Sequence, residues 1–139
     1  MRNWGFGLNV SGLEKMDARM TQTPEGLLKS WMAAINEGDI EGLLALYNEK
    51  GVVFPTFSNR LLTNPERIRN YFTNLGSRDE LSLALHEKTL ITQHVENEIY
   101  SLSGIYCWRF AVDGELFSFE ARFSFVADLS LEAPILHHH

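Results

Sequence analysis

The chain has 139 residues, enough for one domain with a sizeable core. An apolar fraction of 45% and an aromatic fraction of 12% mark a folding chain rather than a disordered one. Twelve basic against eighteen acidic residues leave a formal charge of −6, which argues against non-specific nucleic-acid binding. The single cysteine, Cys107, allows no intramolecular disulfide and suits a reducing compartment. No run approaches the roughly 18 apolar residues of a membrane-crossing helix. The N-terminus lacks the continuous apolar core of a signal peptide. A cytoplasmic protein without membrane or nucleic-acid partners is expected.

Residues 1–21 carry three glycines and mixed charge with no apolar period, which predicts a flexible arm before a domain over 22–139. Thr23 caps a first helix, Pro24 takes its first position and Glu25 favours the positive end of its dipole. Leu27, Leu28, Trp31, Met32, Ala34 and Ile35 follow helical spacing, and Gly38 suits the left-handed stop. Asp39 caps a shorter helix with Ile40, Leu43, Leu44 and Tyr47, ended by Gly51. A strand starts at Gly51–Phe54 and is broken by Pro55. Ser58-Asn59 reads as a turn before a short extended Arg60–Leu62. Asn64-Pro65-Glu66 repeats the cap logic for a third helix with Ile68, Tyr71, Phe72 and Leu75, stopped at Gly76. Leu81, Leu83 and Leu85 alternate with polar residues, and the blur at His86-Glu87-Lys88 predicts a bulge. Long strands follow over Ile99–Val112 and Glu115–Ala127, then a loop over Asp128–Pro134 and a last strand from Ile135. Helices first and strands afterwards predict an α+β fold with a mostly antiparallel sheet. A strongly bent sheet wrapped around the first of the three helices makes a cone with an open mouth.

Asp113-Gly114 is a strong hairpin signal, because both central residues of a type I′ turn need positive φ. With that turn, 112 pairs with 115, 110 with 117, 108 with 119 and 106 with 121. One face then carries Tyr106, Trp108, Phe110, Phe117 and Phe119. The other carries Cys107, Arg109, Ser118, Glu120 and Arg122. The reading from these faces is an aromatic oligomer interface on one side and a polar pocket on the other.

Two arginines around one glutamate leave a surplus of positive charge, which points to a pocket for a small carboxylate or another anion. The plain alternative is an ion-pair network on a solvated strand face. Histidine is the side-chain type that titrates near neutrality; His86, His94 and the closing His137, His138 and His139 are the candidates. A metal site needs three or four converging ligands, and no such spacing is present, so neither metal nor cofactor is expected. Cys107 has no readable base partner. Trp31, Tyr47, Phe54, Tyr71 and Phe72 lie on apolar faces as core, some of them at the pocket mouth.

The pattern LLKSWMAAINEGDIEGLLALYNEKGVVFPT, then NPERIRNYFTNL, the YCWRFAVDG…FEARFSFV hairpin and the closing ILHHH resembles the nuclear transport factor 2-like superfamily. Within it, residues 22–139 are most similar to the association (hub) domain of calcium/calmodulin-dependent protein kinase II and its stand-alone bacterial, SnoaL-like relatives. The resemblance implies a cone whose sheets pair into dimers or larger rings. It also implies two strand arginines and a strand histidine pointing into the cone, matched here by Arg109, Arg122 and His86. It places the closing histidines in the last strand rather than in an affinity tag. Together with the residue reading above, the expected ligand-binding set is Arg109, Arg122, His86, Glu120, Tyr47, Trp31 and His138. Without a kinase catalytic domain or calmodulin-binding segment, kinase activity is not expected. The leading expectation is a self-associating protein with a small-anion pocket. The alternative is a polyketide cyclase or ketosteroid isomerase type enzyme acting on an enolisable substrate. In that case His86 is the better general base and Glu120, flanked by arginines, the second candidate. The loop over Asp128–Pro134 lacks the turn and tryptophan usual before the family's last strand, which predicts an irregular sheet end.

Overall fold

A computed structural model describes residues 23–139; the arm expected over 1–21 lies outside them. Helix α1 (Pro24–Glu37) begins at its predicted cap, where Thr23 Oγ1 accepts from the Gly26 amide at 3.0 Å. Gly38 closes it at φ 72°, donating to the last-turn carbonyls. Helix α2 (Ile40–Leu44) is capped by Asp39, which accepts from the Gly42 amide at 2.9 Å. Helix α3 (Pro65–Gly76) is capped by Asn64, which accepts from the Arg67 amide at 2.9 Å. No helix among the described residues is long and apolar enough to cross a membrane.

The strands are β1 (Tyr47–Val53), β2 (Asp79–Leu85), β3 (Ile91–Glu96), β4 (Ile99–Val112), β5 (Glu115–Asp128) and β6 (Ile135–His138). They form one sheet in the order β1-β6-β5-β4-β2, with β3 paired to the first half of β4. Every pairing is antiparallel except β1 with β6. Asp113 and Gly114 make the turn with φ 53° and 80°, and the register is the predicted one, from Val112↔Glu115 through Tyr106↔Ala121. The sheet end is irregular as expected, with register shifts between Val126 and Ala127 and along β1.

Two local expectations change. Tyr47 does not extend the second helix; it opens β1, opposite Ile135, whose amide donates to the Leu46 carbonyl at 2.9 Å. Pairing with a strand at the far end of the sequence overrides local helical spacing. The blur after Leu85 is not a bulge but a 3₁₀ turn, Glu87–Thr89, that carries the chain from β2 to β3. Thr89 Oγ1 holds it, donating to the His86 carbonyl at 2.6 Å and accepting from the Ile105 amide at 2.9 Å.

The core lies between α1 and the inner face of the sheet. Trp31 is fully buried, stacked on Tyr106 at 5.7 Å and edge-on to Phe72, Trp108 and Phe125. The hairpin's aromatic face is therefore this inner face. Tyr106, Trp108 and Phe110 are buried within the chain itself, and only Phe117 and Phe119, near the turn, stay about two-fifths exposed. The association surface expected from those five residues is corrected: three of them are core. The physical reason is that the aromatic stripe continues into buried Phe123 and Phe125 and meets the apolar side of α1. Burying these rings is strongly favourable, whereas burying the arginines and glutamate opposite them is costly.

Gly38 has open space where a Cβ would sit, so only its positive φ demands glycine. Gly38→Ala should lower stability by about 1 kcal/mol through backbone strain alone, read by urea unfolding with an unchanged slope.

Candidate functional site

The polar side of the hairpin faces outward. His86 follows the end of β2, and its amide donates to the Ile105 carbonyl at 3.0 Å, which sets the imidazole beside the Cys107↔Glu120 pair. His86 Nε2 lies 2.6 Å from Glu120 Oε2, with the two side chains 46% and 67% exposed. Arg109 stands between Ser82 and Ser118, and Arg122 lies opposite Ile105; neither forms an ion pair among the described residues. The structure thus brings His86 to Glu120 but does not turn Arg109, Arg122 or His86 into the cone. The inward pocket expected of them is corrected to an exposed patch on the outer sheet face. Ser101, Ser103, Ser124 and Ala84 surround it with short side chains, and Ile105 and Val126 add partly buried apolar ones. At its far edge Phe54 packs on His137 and His139. A histidine–carboxylate pair can hold and pass a proton, but neither large groove of the surface reaches this one.

Inside the cone, Trp31, Tyr47 and His138 do converge, with Tyr106 as a fourth member. Trp31 Nε1 donates to Tyr47 Oη at 2.9 Å. Tyr47 Oη lies 2.8 Å from His138 Nδ1, and His138 Nε2 lies 3.2 Å from Tyr106 Oη. An indole can only donate, so the Tyr47 oxygen accepts from it and its hydroxyl donates onward; any other arrangement strands a buried O–H. His138 is then the neutral tautomer with Nδ1 accepting and Nε2 donating to Tyr106. Burial first, and then the neighbouring His137 and His139, push the imidazole down to about 3. Burial likewise raises the Tyr47 and Tyr106 hydroxyls. Phe125 stacks on the imidazole at 4.0 Å. The recess bounded by Leu27, Leu28, Trp31, Leu102 and Phe125 has no room for a water molecule. The ligand-facing placement expected of Trp31, Tyr47 and His138 is corrected to a closed, hydrogen-bonded cluster.

The open recesses flank α3. One, of about 540 Å³, contains Arg69, which is neutralised by both oxygens of Glu41 at 2.6 and 3.0 Å. The other, of the same volume, is lined by Arg60, Arg67 and Arg78. Sequence reading passed over these three because they sit on a loop and on the flank of a helix whose core side carries the visible period. Arg67, Asn70, Asn74 and Arg78 recur at helical spacing, and that second stripe is the signal that could have revealed them.

Three helices on the inner face of a curved sheet closed over aromatic side chains define a nuclear transport factor 2-like cone, as the resemblance implies. The sequence profile of the calcium/calmodulin-dependent protein kinase II association domain matches residues 25–139, and the chain belongs to that family. A Xanthomonas campestris crystal structure described by the same family name superposes with a TM-score of 0.73 at 24% identity, covering 83% of this chain and 81% of its own. The association domain of the C. elegans kinase gives 0.66 at 17% identity, over 81% and 88% of the two chains. A SnoaL-like polyketide cyclase fold from Shewanella putrefaciens gives 0.57 at 16%, over 82% and 85%. No curated protein sequence matches the chain. At these identities the solved structures speak to the fold.

The buried imidazole makes stability depend on pH. In the folded chain it stays neutral down to about 3, while in the unfolded chain it binds a proton near 6.5. Its stabilising contribution is complete above about pH 6.5 and is lost as pH falls toward 3, at up to about 1.4 kcal/mol per pH unit. His138→Phe should remove that part of the slope in urea unfolding between about pH 7 and 4.5, while Tyr106→Phe, which keeps the imidazole buried, should retain it.

Proposed function

We propose that this chain is an association module that pairs with a second copy through the outer face of β4, β5 and β6. The observation that carries the reading is that the helices pack on the inner face, so that among the described residues no helix covers the outer face of two fourteen-residue strands. Its short serine and alanine side chains let a second sheet approach closely, and Ile105 and Val126 supply apolar contact at the centre. Membership of a family named for association supports the same conclusion.

In this reading the charged patch gives specificity. A two-fold pair is self-complementary, so each surface must carry both members of every cross-interface contact. Arg109, Arg122 and Glu120 on one face meet that condition: the carboxylate that satisfies the arginines is Glu120 of the second copy, with His86 holding it in place. The small-anion role of Arg109, Arg122 and His86 becomes an interface role on this surface.

Light scattering on the full chain across a concentration series tests the reading. The expected mass is twice 15.9 kDa or a higher multiple, falling to 15.9 kDa in Ile105→Asp with an unchanged circular dichroism spectrum. A native chain that stays at 15.9 kDa into the high micromolar range removes it.

A further inference from the structure

The groove between α3 and the loop before it carries a charge pattern that self-association does not use. Arg67, Asn70, Asn74 and Arg78 form one wall, along the flank of α3 and the turn that follows it. Arg60 stands on the facing wall, in a loop tied down at both ends. Ser58 Oγ accepts from the Arg60 amide at 3.1 Å, and Leu62 exchanges backbone hydrogen bonds with Val53 at 2.9 and 3.0 Å. The floor is apolar, with Leu62 and Leu75 buried beneath it and Phe57 and Tyr71 at its sides. The Phe57 amide donates to Tyr71 Oη at 3.2 Å, which fixes the aromatic walls relative to each other.

Among the described residues, three arginines line this groove and no acidic residue does, in a chain whose acidic residues outnumber its basic ones by eighteen to twelve. None of the three makes an ion pair among the described residues. The contrast with Arg69, on the same helix, is direct: that guanidinium is matched by both oxygens of Glu41. Arg78 is held in place without a carboxylate, its guanidinium 4.5 Å above the ring of Phe110. Phe57 also lies 5.7 Å from Trp108, edge-on, which holds the aromatic wall against the core.

We propose that this groove binds a small organic dianion, a phosphate monoester with an apolar body. Three guanidiniums offer far more donors than one carboxylate can accept, and their planar forks match phosphate oxygens in pairs. The asparagine amides add neutral donors. The Phe57–Tyr71 walls and leucine floor take an apolar or aromatic body, and a volume of about 540 Å³ suits a ligand of that size.

Phenyl phosphate is the probe, titrated into the full isotope-labelled chain at neutral pH and followed by backbone amide shifts. The expected shifts lie at Leu61, Asn70 and Asn74. Arg67→Gln with Arg78→Gln should weaken binding by at least about tenfold, while Arg69→Gln leaves it unchanged. Affinity should fall below about pH 6, where the phosphate takes its second proton. Phenol, lacking the charge, and inorganic phosphate, lacking the body, should each bind more weakly. Shifts confined to other surfaces, an unaffected double variant, or benzoate binding as tightly as phenyl phosphate would each overturn the assignment. The mass of the double variant in solution, read on the same samples, separates this site from the outer sheet face: it should equal that of the native chain.

Discussion

The hydrogen-bonded line Trp31–Tyr47–His138–Tyr106 is the constraint on which the cone depends. Its members come from α1, β1, β6 and β4, of which only β1 and β6 pair directly as strands. The strand β6 is only four residues long and takes β1 in a parallel, shifted register. Such a short edge pairing is weak by itself. The buried imidazole pins it by using both ring nitrogens, one toward β1 and one toward β4. Because Trp31, Tyr47 and His138 each donate to the next member of the line, the network restricts how these elements can be arranged. Apolar packing alone would tolerate several arrangements.

That solution has a consequence for function. The inside of a cone is the natural place for a ligand, but here Trp31, Phe72, Phe125 and the imidazole fill it with rings in contact. What remains available is the outer face of the sheet and the two flanks of α3. On one flank Glu41 neutralises the arginine. On the outer face, His86 and Glu120 pair while Arg109 and Arg122 have no ion-pair partner among the described residues. Among the described residues, the arginines without an ion pair thus stand on two surfaces, one built of strands and one built from a helix and a loop.

Most of the fold was legible because its signals are local. A threonine before a proline, an aspartate after a left-handed glycine and an Asp-Gly turn each work through hydrogen bonds spanning two to four residues, and they appear where the sequence puts them. The register followed at once from the turn. Which face of the hairpin looks inward was not legible in the same way. Alternation shows that Tyr106 and Cys107 lie on opposite sides, yet it carries no sign. Reading the polar face as a pocket and the aromatic face as an interface set the sign, and the resemblance to the family agreed by matching Arg109, Arg122 and His86 to inward positions. Desolvation sets it the other way, since enclosing two guanidiniums with one carboxylate strands a charge, while enclosing Tyr106, Trp108, Phe123 and Phe125 strands almost none. Tyr47 and His138 were read separately, as helix and tail, because only the sheet brings them within 2.8 Å.

The hairpin itself joins the two open surfaces. Its outer side carries the charged patch. The inner side of its tip packs on the loop that walls the arginine groove, with Phe57 lying 5.6 Å from Phe119 and 5.5 Å from Phe110. Phe110 in turn supports Arg78. Contact on the outer face therefore leaves the groove open, because sheet and helix layer separate them, yet it bears on the same two strands that position Phe57 and Arg78. If a second copy docks on the outer face as proposed, it would stiffen the hairpin tip and hold one wall of the groove in place, and a ligand seated against Phe57 would steady the tip in return. Any coupling between the two surfaces must be equal in both directions, and the aromatic contact of Phe57 with Phe110 and Phe119 is the shortest physical route for it.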